Sequence, residues 1–246
     1  MTGTFKPFTG WGTLVNSVSV IVGTAVGLAV GGVLPPSMQQ LVMAGIGLVT
    51  LGIGVKLFLG SKNILVLVAS LCIGGMIGSA LHLHDYVLQF ADWSKATFGG
   101  QGSSTFAEAV VTTSILFCVG PMTLMGCLQE AIEGKRELIY LKSMLDGFSS
   151  LFFAVSLGAG VFVSALVVLV VQGAITLLGQ RLKFVADRPE LLDEASAVGG
   201  PIMMGIGLGI LNIKSIPVSN FVPALVLAPV LVAAQQKWAK LKNPAG

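Results

Sequence analysis

The 246-residue chain is 54% hydrophobic and only 10% charged, with a mean hydropathy of +0.90. Several apolar runs approach or exceed the roughly 18 residues of a membrane-spanning helix, which excludes an ordinary soluble domain. The net charge of +3 comes from basic residues spread over short loops, so nothing points to a nucleic-acid partner. The composition predicts an all-α integral membrane protein, a single polytopic domain over residues 1–246 whose main partner is the lipid bilayer.

Eight spans fit the apolar runs: residues 12–34, 38–58, 63–83, 105–128, 138–158, 160–180, 192–212 and 216–236. The stretch from Trp11 to Leu34 is too long for a signal-peptide core and reads as an uncleaved first span. After the third span, Leu83, Val87, Phe90, Ala91 and Ser94 recur at helical spacing, predicting a short helix on the membrane surface. His82, His84 and Asp85 read as interfacial polar residues closing the third span. Histidines two apart fall on different faces of a helix, so a metal site is disfavoured. The fourth span either crosses or re-enters. Only Leu157-Gly158-Ala159-Gly160 is available to turn the fifth span into the sixth.

Cys72, Cys118 and Cys127 lie in apolar runs, form no CxxC pair, and read as inert buried thiols. No metalloprotease, phosphate-loop or nucleophile-elbow motif stands in a suitable context, and "GIGLG" follows no strand. The expectation is a protein without catalytic residues, cofactor or metal.

With eight spans, one side of the membrane receives Lys6, Lys62, Lys135, Arg136, Arg181, Lys183, Arg188, Lys237, Lys240 and Lys242. The other receives only Lys95 and Lys214. The positive-inside rule then puts both termini in the cytoplasm.

"LGIGVKLF" (51–58) resembles "MGIGLGIL" (204–211), pairing Gly47 with Gly200, Gly52 with Gly205 and Gly54 with Gly207. The two spans run in opposite directions, so the match suggests an inverted repeat of 12–83 and 160–236, linked by spans 105–128 and 138–158. "VGPMTLMG" (119–126) echoes "GGPIMMG" (199–205), and two Gly-Pro breaks in apolar runs point to interrupted helices. Close helix packing is the competing explanation of these glycines. It also accounts for the stripes Gly23/Gly27/Gly31 and Gly74/Gly78, with a homodimer contact as the lesser alternative.

Asp146 lies deep in the fifth span, where an aspartate costs roughly 2.5–3.5 kcal/mol and needs a partner. Lys142, four residues earlier, offers a local ion pair; an ion or proton site is the functional alternative. Glu194 and Ser196 open the seventh span, where acids and hydroxyls suit a helix N-terminus. The functional alternative has Glu194 facing unwound backbone at Gly199-Gly200-Pro201. Asn16, Thr123, Gln172 and Asn220 are the other polar residues to be placed inside the bilayer, each suited to an interhelical hydrogen bond or to a shared polar cavity.

"GTLVNSVSVIVGTAVG" (12–27), "FCVGPMTLMG" (117–126), "KSMLDGFSSLFFAVSLGAGVFVSAL" (142–166), "QGAITLL" (172–178) and "SAVGGPIMMGIGLGILNIKSIPVSNFVPAL" (196–225) together resemble the YqgA/YdfK-like family. The resemblance covers nearly the whole chain. It implies a compact polytopic protein of the bacterial inner membrane, a candidate transporter with no assigned substrate. The family's recurring polar positions correspond to Asn16, Asp146, Gln172, Glu194, Ser196 and Asn220, while Pro201 departs from the aliphatic residue usual there.

The leading expectation is a secondary transporter for a small ion or solute coupled to H⁺ or Na⁺. Asp146 would carry the coupling charge, Glu194 would be the second acid, and the breaks at 120–123 and 199–201 would supply free backbone groups. A channel with the same lining and a non-transporting, partner-binding scaffold are the alternatives.

Overall fold

The computed structural model describes residues 8–98, 106–118, 121–179, 181 and 188–242. Ten α-helices are found among them: α1 Trp11–Gly31, α2 Pro36–Phe58, α3 Ile64–Ala80, α4 Leu83–Phe98, α5 Phe106–Cys118, α6 Pro121–Glu133, α7 Glu137–Leu157, α8 Val161–Leu177, α9 Pro189–Ile210 and α10 Val222–Lys242. Short 3₁₀ turns, Gly158–Gly160 and Val218–Phe221, precede α8 and α10. No strand occurs among the described residues.

Four segments are long and apolar enough to cross a membrane: Trp11–Gly31, Pro36–Phe58, Glu137–Leu177 and Val218–Trp238. The number rises to six if each bent pair, α3 with α4 and α5 with α6, is one span. The 41-residue segment Glu137–Leu177 is a hairpin rather than one crossing. Gly23, Gly27 and Gly31 of α1 face Gly147, Leu151 and Val155 of α7, so α1 and α7 run parallel. Thr13 and Asn16 of α1 meet Thr176 and Gln172 of α8, so α1 and α8 run antiparallel. The reversal falls at Gly158, whose φ of 81° and ψ of −155° suit only glycine.

The same register argument orders the rest. Gly47 and Gly54 of α2 meet Gly207 and Gly200 of α9, an antiparallel pair. Asn63, Gly74 and Gly78 meet Gln235, Ala224 and Asn220, so α3 and α10 are also antiparallel. The α5–α6 unit descends from Phe106, beside Gly160, to Glu130, beside Gly12, with a 53° bend between its helices. The fourth span is therefore an interrupted crossing. Gly120 in its break lies outside the described residues. Chain direction reverses at each step, so α1 starts and α10 finishes at the end of the bundle that carries Lys62, Lys135, Arg136 and Arg188. We call this the basic end.

Three expectations are corrected. The backbone does not unwind at Gly199-Gly200-Pro201, because α9 continues through Pro201. The glycines serve close packing instead. A Cβ on Gly200 would stand 2.5 Å from the Phe58 nitrogen and 2.6 Å from the Gly54 carbonyl oxygen, so α2 and α9 touch backbone to backbone. The stripe Gly23/Gly27/Gly31 is likewise covered by α7 of the same chain and cannot hold a second copy. The last helix starts at Val222 rather than near 216, after the 3₁₀ turn Val218–Phe221. The predicted surface helix is α4, which turns 61° away from α3.

Candidate functional site

Glycines line α1 where it meets α7 and let the two helices approach closely, so short polar groups just below can meet. Asn16 Nδ2 donates to Asp146 Oδ2 at 2.9 Å and to Gln172 Oε1 at 3.1 Å. Lys142, one turn before Asp146, pairs with the same carboxylate oxygen. Asn16 and Gln172 are fully buried, and Lys142 and Asp146 are only 5% and 7% exposed. Asn16 and Gln172 each stand five residues from a helix end and Asp146 nine, which places the cluster roughly 8–14 Å inside the bundle. Asn16 Oδ1 and Gln172 Nε2 are buried without a partner. The cluster thus holds a neutralised charge plus one unused acceptor and one unused donor, an uncommon condition for buried polar atoms.

Polar groups continue from the cluster toward the basic end. The Thr13 and Thr176 hydroxyls stand 3.5 Å apart, with Cys127 buried nearby. Below them, Glu130 accepts the Gly10 and Gly12 amides at 3.3 and 3.1 Å and Arg136 Nε at 2.8 Å. Its carboxylate is fully buried and terminates the free N-terminal turn of α1, where a negative charge is favoured. In the other direction Val20, Val168, Phe117 and Phe153, all at most 2% exposed, pack together beyond the cluster. Buried hydroxyls stand among them: Thr24 and Ser150 both donate to the Val20 carbonyl, and Ser164 donates to the Val161 carbonyl of its own helix.

Of the residues expected at the site, Asn16, Asp146 and Gln172 come together and the rest do not. Glu194 shares no hydrogen-bond partner with Asp146. It accepts the Ser61 hydroxyl at 2.9 Å and the Asn63 amide at 2.8 Å, closing the turn between α2 and α3. Ser196 bonds to its own helix at the Leu192 carbonyl. Thr123 Oγ1 donates to the Phe117 carbonyl at 3.2 Å, tying α6 to α5 across the break. Asn220 accepts the His84 amide at 3.0 Å and caps α4 at the far end. Gly199 is buried in the continuous helix, and Gly200 is part of the α2 contact. Glu130, buried and central to the column, was missed. It stands among Glu133, Lys135, Arg136 and Glu137, and such a charge run ordinarily marks a solvated loop.

Glu194→Ala removes both acceptors from the α2–α3 turn. Unsatisfied buried amides cost about 1–3 kcal/mol each. A clear drop in melting temperature is expected, while the Asn16–Asp146–Gln172 cluster, which Glu194 does not touch, keeps any ligand response.

Among the described residues, no three His, Cys, Asp or Glu side chains stand close enough to hold a metal ion. His82 Nδ1 lies 3.0 Å from Asp85 Oδ2 in an exposed pair.

A helical bundle with long apolar segments and a buried charged cluster defines a multi-pass α-helical membrane protein. The chain belongs to the family described as "Protein of unknown function (DUF554)", which it matches over residues 11–233. It is 29% identical over 226 residues to the "Uncharacterized membrane protein YdfK" of Bacillus subtilis (strain 168), covering 90% of this chain and 95% of that one. It is 30% identical over 232 residues to the "Uncharacterized protein YqgA" of Escherichia coli (strain K12), covering 92% and 98% respectively. No solved structure matches.

Proposed function

We propose that the chain is a secondary transporter for a small ion or solute, coupled to H⁺ or Na⁺, with Asp146 as the coupling carboxylate. The observation that carries this reading is the Asp146–Lys142–Asn16–Gln172 cluster, with its unused Asn16 Oδ1 and Gln172 Nε2. A lone carboxylate at that depth is expensive, and Lys142 acts as a tethered counter-cation while the site is empty. A proton or Na⁺ taken up by Asp146 replaces Lys142 as the neutralising charge. The released ammonium and the two free amide atoms then become available to a solute. The Thr13, Thr176 and Glu130 column supplies the route to the basic end, which faces the cytoplasm under the positive-inside rule. Both termini are then cytoplasmic in a bacterial inner membrane. The antiparallel pairs α1·α8, α2·α9 and α3·α10 support the inverted-repeat reading of 12–83 and 160–236.

The second reading is a non-transporting scaffold, favoured by the fact that Lys142 and Asp146 already neutralise each other within one helix. Proteoliposomes loaded with a pH-sensitive dye distinguish the two. Under an imposed Na⁺ or K⁺ gradient, or with a small-solute gradient added, wild type is expected to move protons and Asp146→Asn is not. Wild-type liposomes that ignore every gradient, with Asp146→Asn altering only stability, would establish the scaffold.

A further inference from the structure

A polar cavity of about 400 Å³ lies at the end of the bundle away from the basic loops and shares no residue with the Asp146 cluster. It is walled by α4, α5, α9 and the segment after α9, and its volume falls within the range of small-molecule sites. Its polar lining is Glu108, His84, Thr112, Asn212 and Ser215. No ion pair to the Glu108 carboxylate is found among the described residues. The His84 amide is used by Asn220, but its Nδ1 is buried and has no partner. Thr112 is 6% exposed, so its hydroxyl is fixed in the wall. Beside them Gly209 leaves open floor, for a Cβ there would meet nothing within 4 Å.

The chemistry of this lining is that of an acceptor set. Glu108 brings a formal negative charge, and α9 ends at Ile210 with its carbonyl pole toward the same region. His84 accepts at Nδ1 in its Nε2–H tautomer, and the Thr112 and Ser215 hydroxyls can accept as well. Lys214 in the adjoining loop is exposed and does not line the cavity. One carboxylate, one imidazole and hydroxyls are too few hard ligands for a bare divalent cation. They match the three N–H donors of an ammonium group.

We infer that this cavity is a binding site for a small primary ammonium compound, with Glu108 as its counter-ion and His84 and Thr112 as hydrogen-bond acceptors. The site stands independently of the transport reading.

Purified full-length protein is titrated with methylammonium, propylammonium and 1,4-diaminobutane chlorides, with tetramethylammonium and sodium chlorides as controls, and read by melting temperature and calorimetry. At least one primary amine is expected to bind saturably, while tetramethylammonium, which has no N–H, does not. Glu108→Gln is expected to weaken that binding at least tenfold. Should Glu108→Gln fail to fold, His84→Phe gives the same reading by removing the Nδ1 acceptor together with Nε2 while keeping a ring in the wall. Absence of saturable binding by all three amines in wild type overturns the inference. So does an unchanged midpoint in the Glu108 variant or, where that variant does not fold, in the His84 variant.

Discussion

Asp146→Asn is expected to lower the stability of the folded chain by about 3–5 kcal/mol, because it leaves the Lys142 ammonium buried with no counter-ion. The double variant Asp146→Asn/Lys142→Met is expected to recover most of that loss, since a pair replaced by uncharged groups leaves no charge to solvate. Denaturant unfolding in detergent measures both. The pair of results separates fold from chemistry. If the double variant is stable but shows no ion-coupled flux, Asp146 does more than neutralise its neighbour. A single variant as stable as wild type would mean that water reaches Lys142, against the burial described.

The second large effect concerns glycine. Gly200→Ala inserts a methyl group against the backbone of α2, where neither the Phe58 nitrogen nor the Gly54 carbonyl can rotate aside. Overpacking of this kind costs about 1–3 kcal/mol, and larger side chains should cost more. Gly45→Ala and Gly52→Ala lie on the same α2 helix but meet nothing within 4 Å. There the better helix propensity of alanine should leave stability equal or raise it, by at most about 1 kcal/mol. Melting temperatures of the three variants, measured side by side, should differ in sign. Equal losses at all three positions would show that glycine in these helices answers to something other than contact.

The pattern of apolar runs was sufficient to place most helices within a few residues, because membrane crossing imposes a length and an apolar content that short loops interrupt. The hairpin at Gly158 was legible for the same reason: nothing else between Glu137 and Leu177 can reverse the chain. Asp146 stood out as a lone acid in an apolar helix, and Asn16 and Gln172 as lone amides. Their meeting depends on which helices adjoin, which local pattern does not reveal. Glu194 was misplaced because its partners, Ser61 and Asn63, lie more than 130 residues earlier in the chain. The Gly-Pro sequence in α9 was ambiguous in principle. A break and a close contact both demand glycine, and only the neighbouring helix decides between them.

The glycine seams also divide the molecule mechanically. Where α1 meets α7, α2 meets α9 and α3 meets α10, glycines bring main chain close to main chain, with side chains such as Ser150, Leu211 and Met204 fitted against them. Contacts this close leave little room to absorb a displacement, so each pair is stiff and should shift as one piece. The border between α2 and α7 is different. Val42, Ile46 and Ile53 face Phe148 and Phe152 around a cavity of about 410 Å³, with the Ser156 hydroxyl reaching the Gln39 carbonyl at 3.4 Å near one end. Bulky side chains beside empty space can re-stack at small cost. Shear between the α1–α7 slab and the α2–α9 slab is therefore a soft deformation open to this bundle, and it passes alongside the helix that carries Lys142 and Asp146.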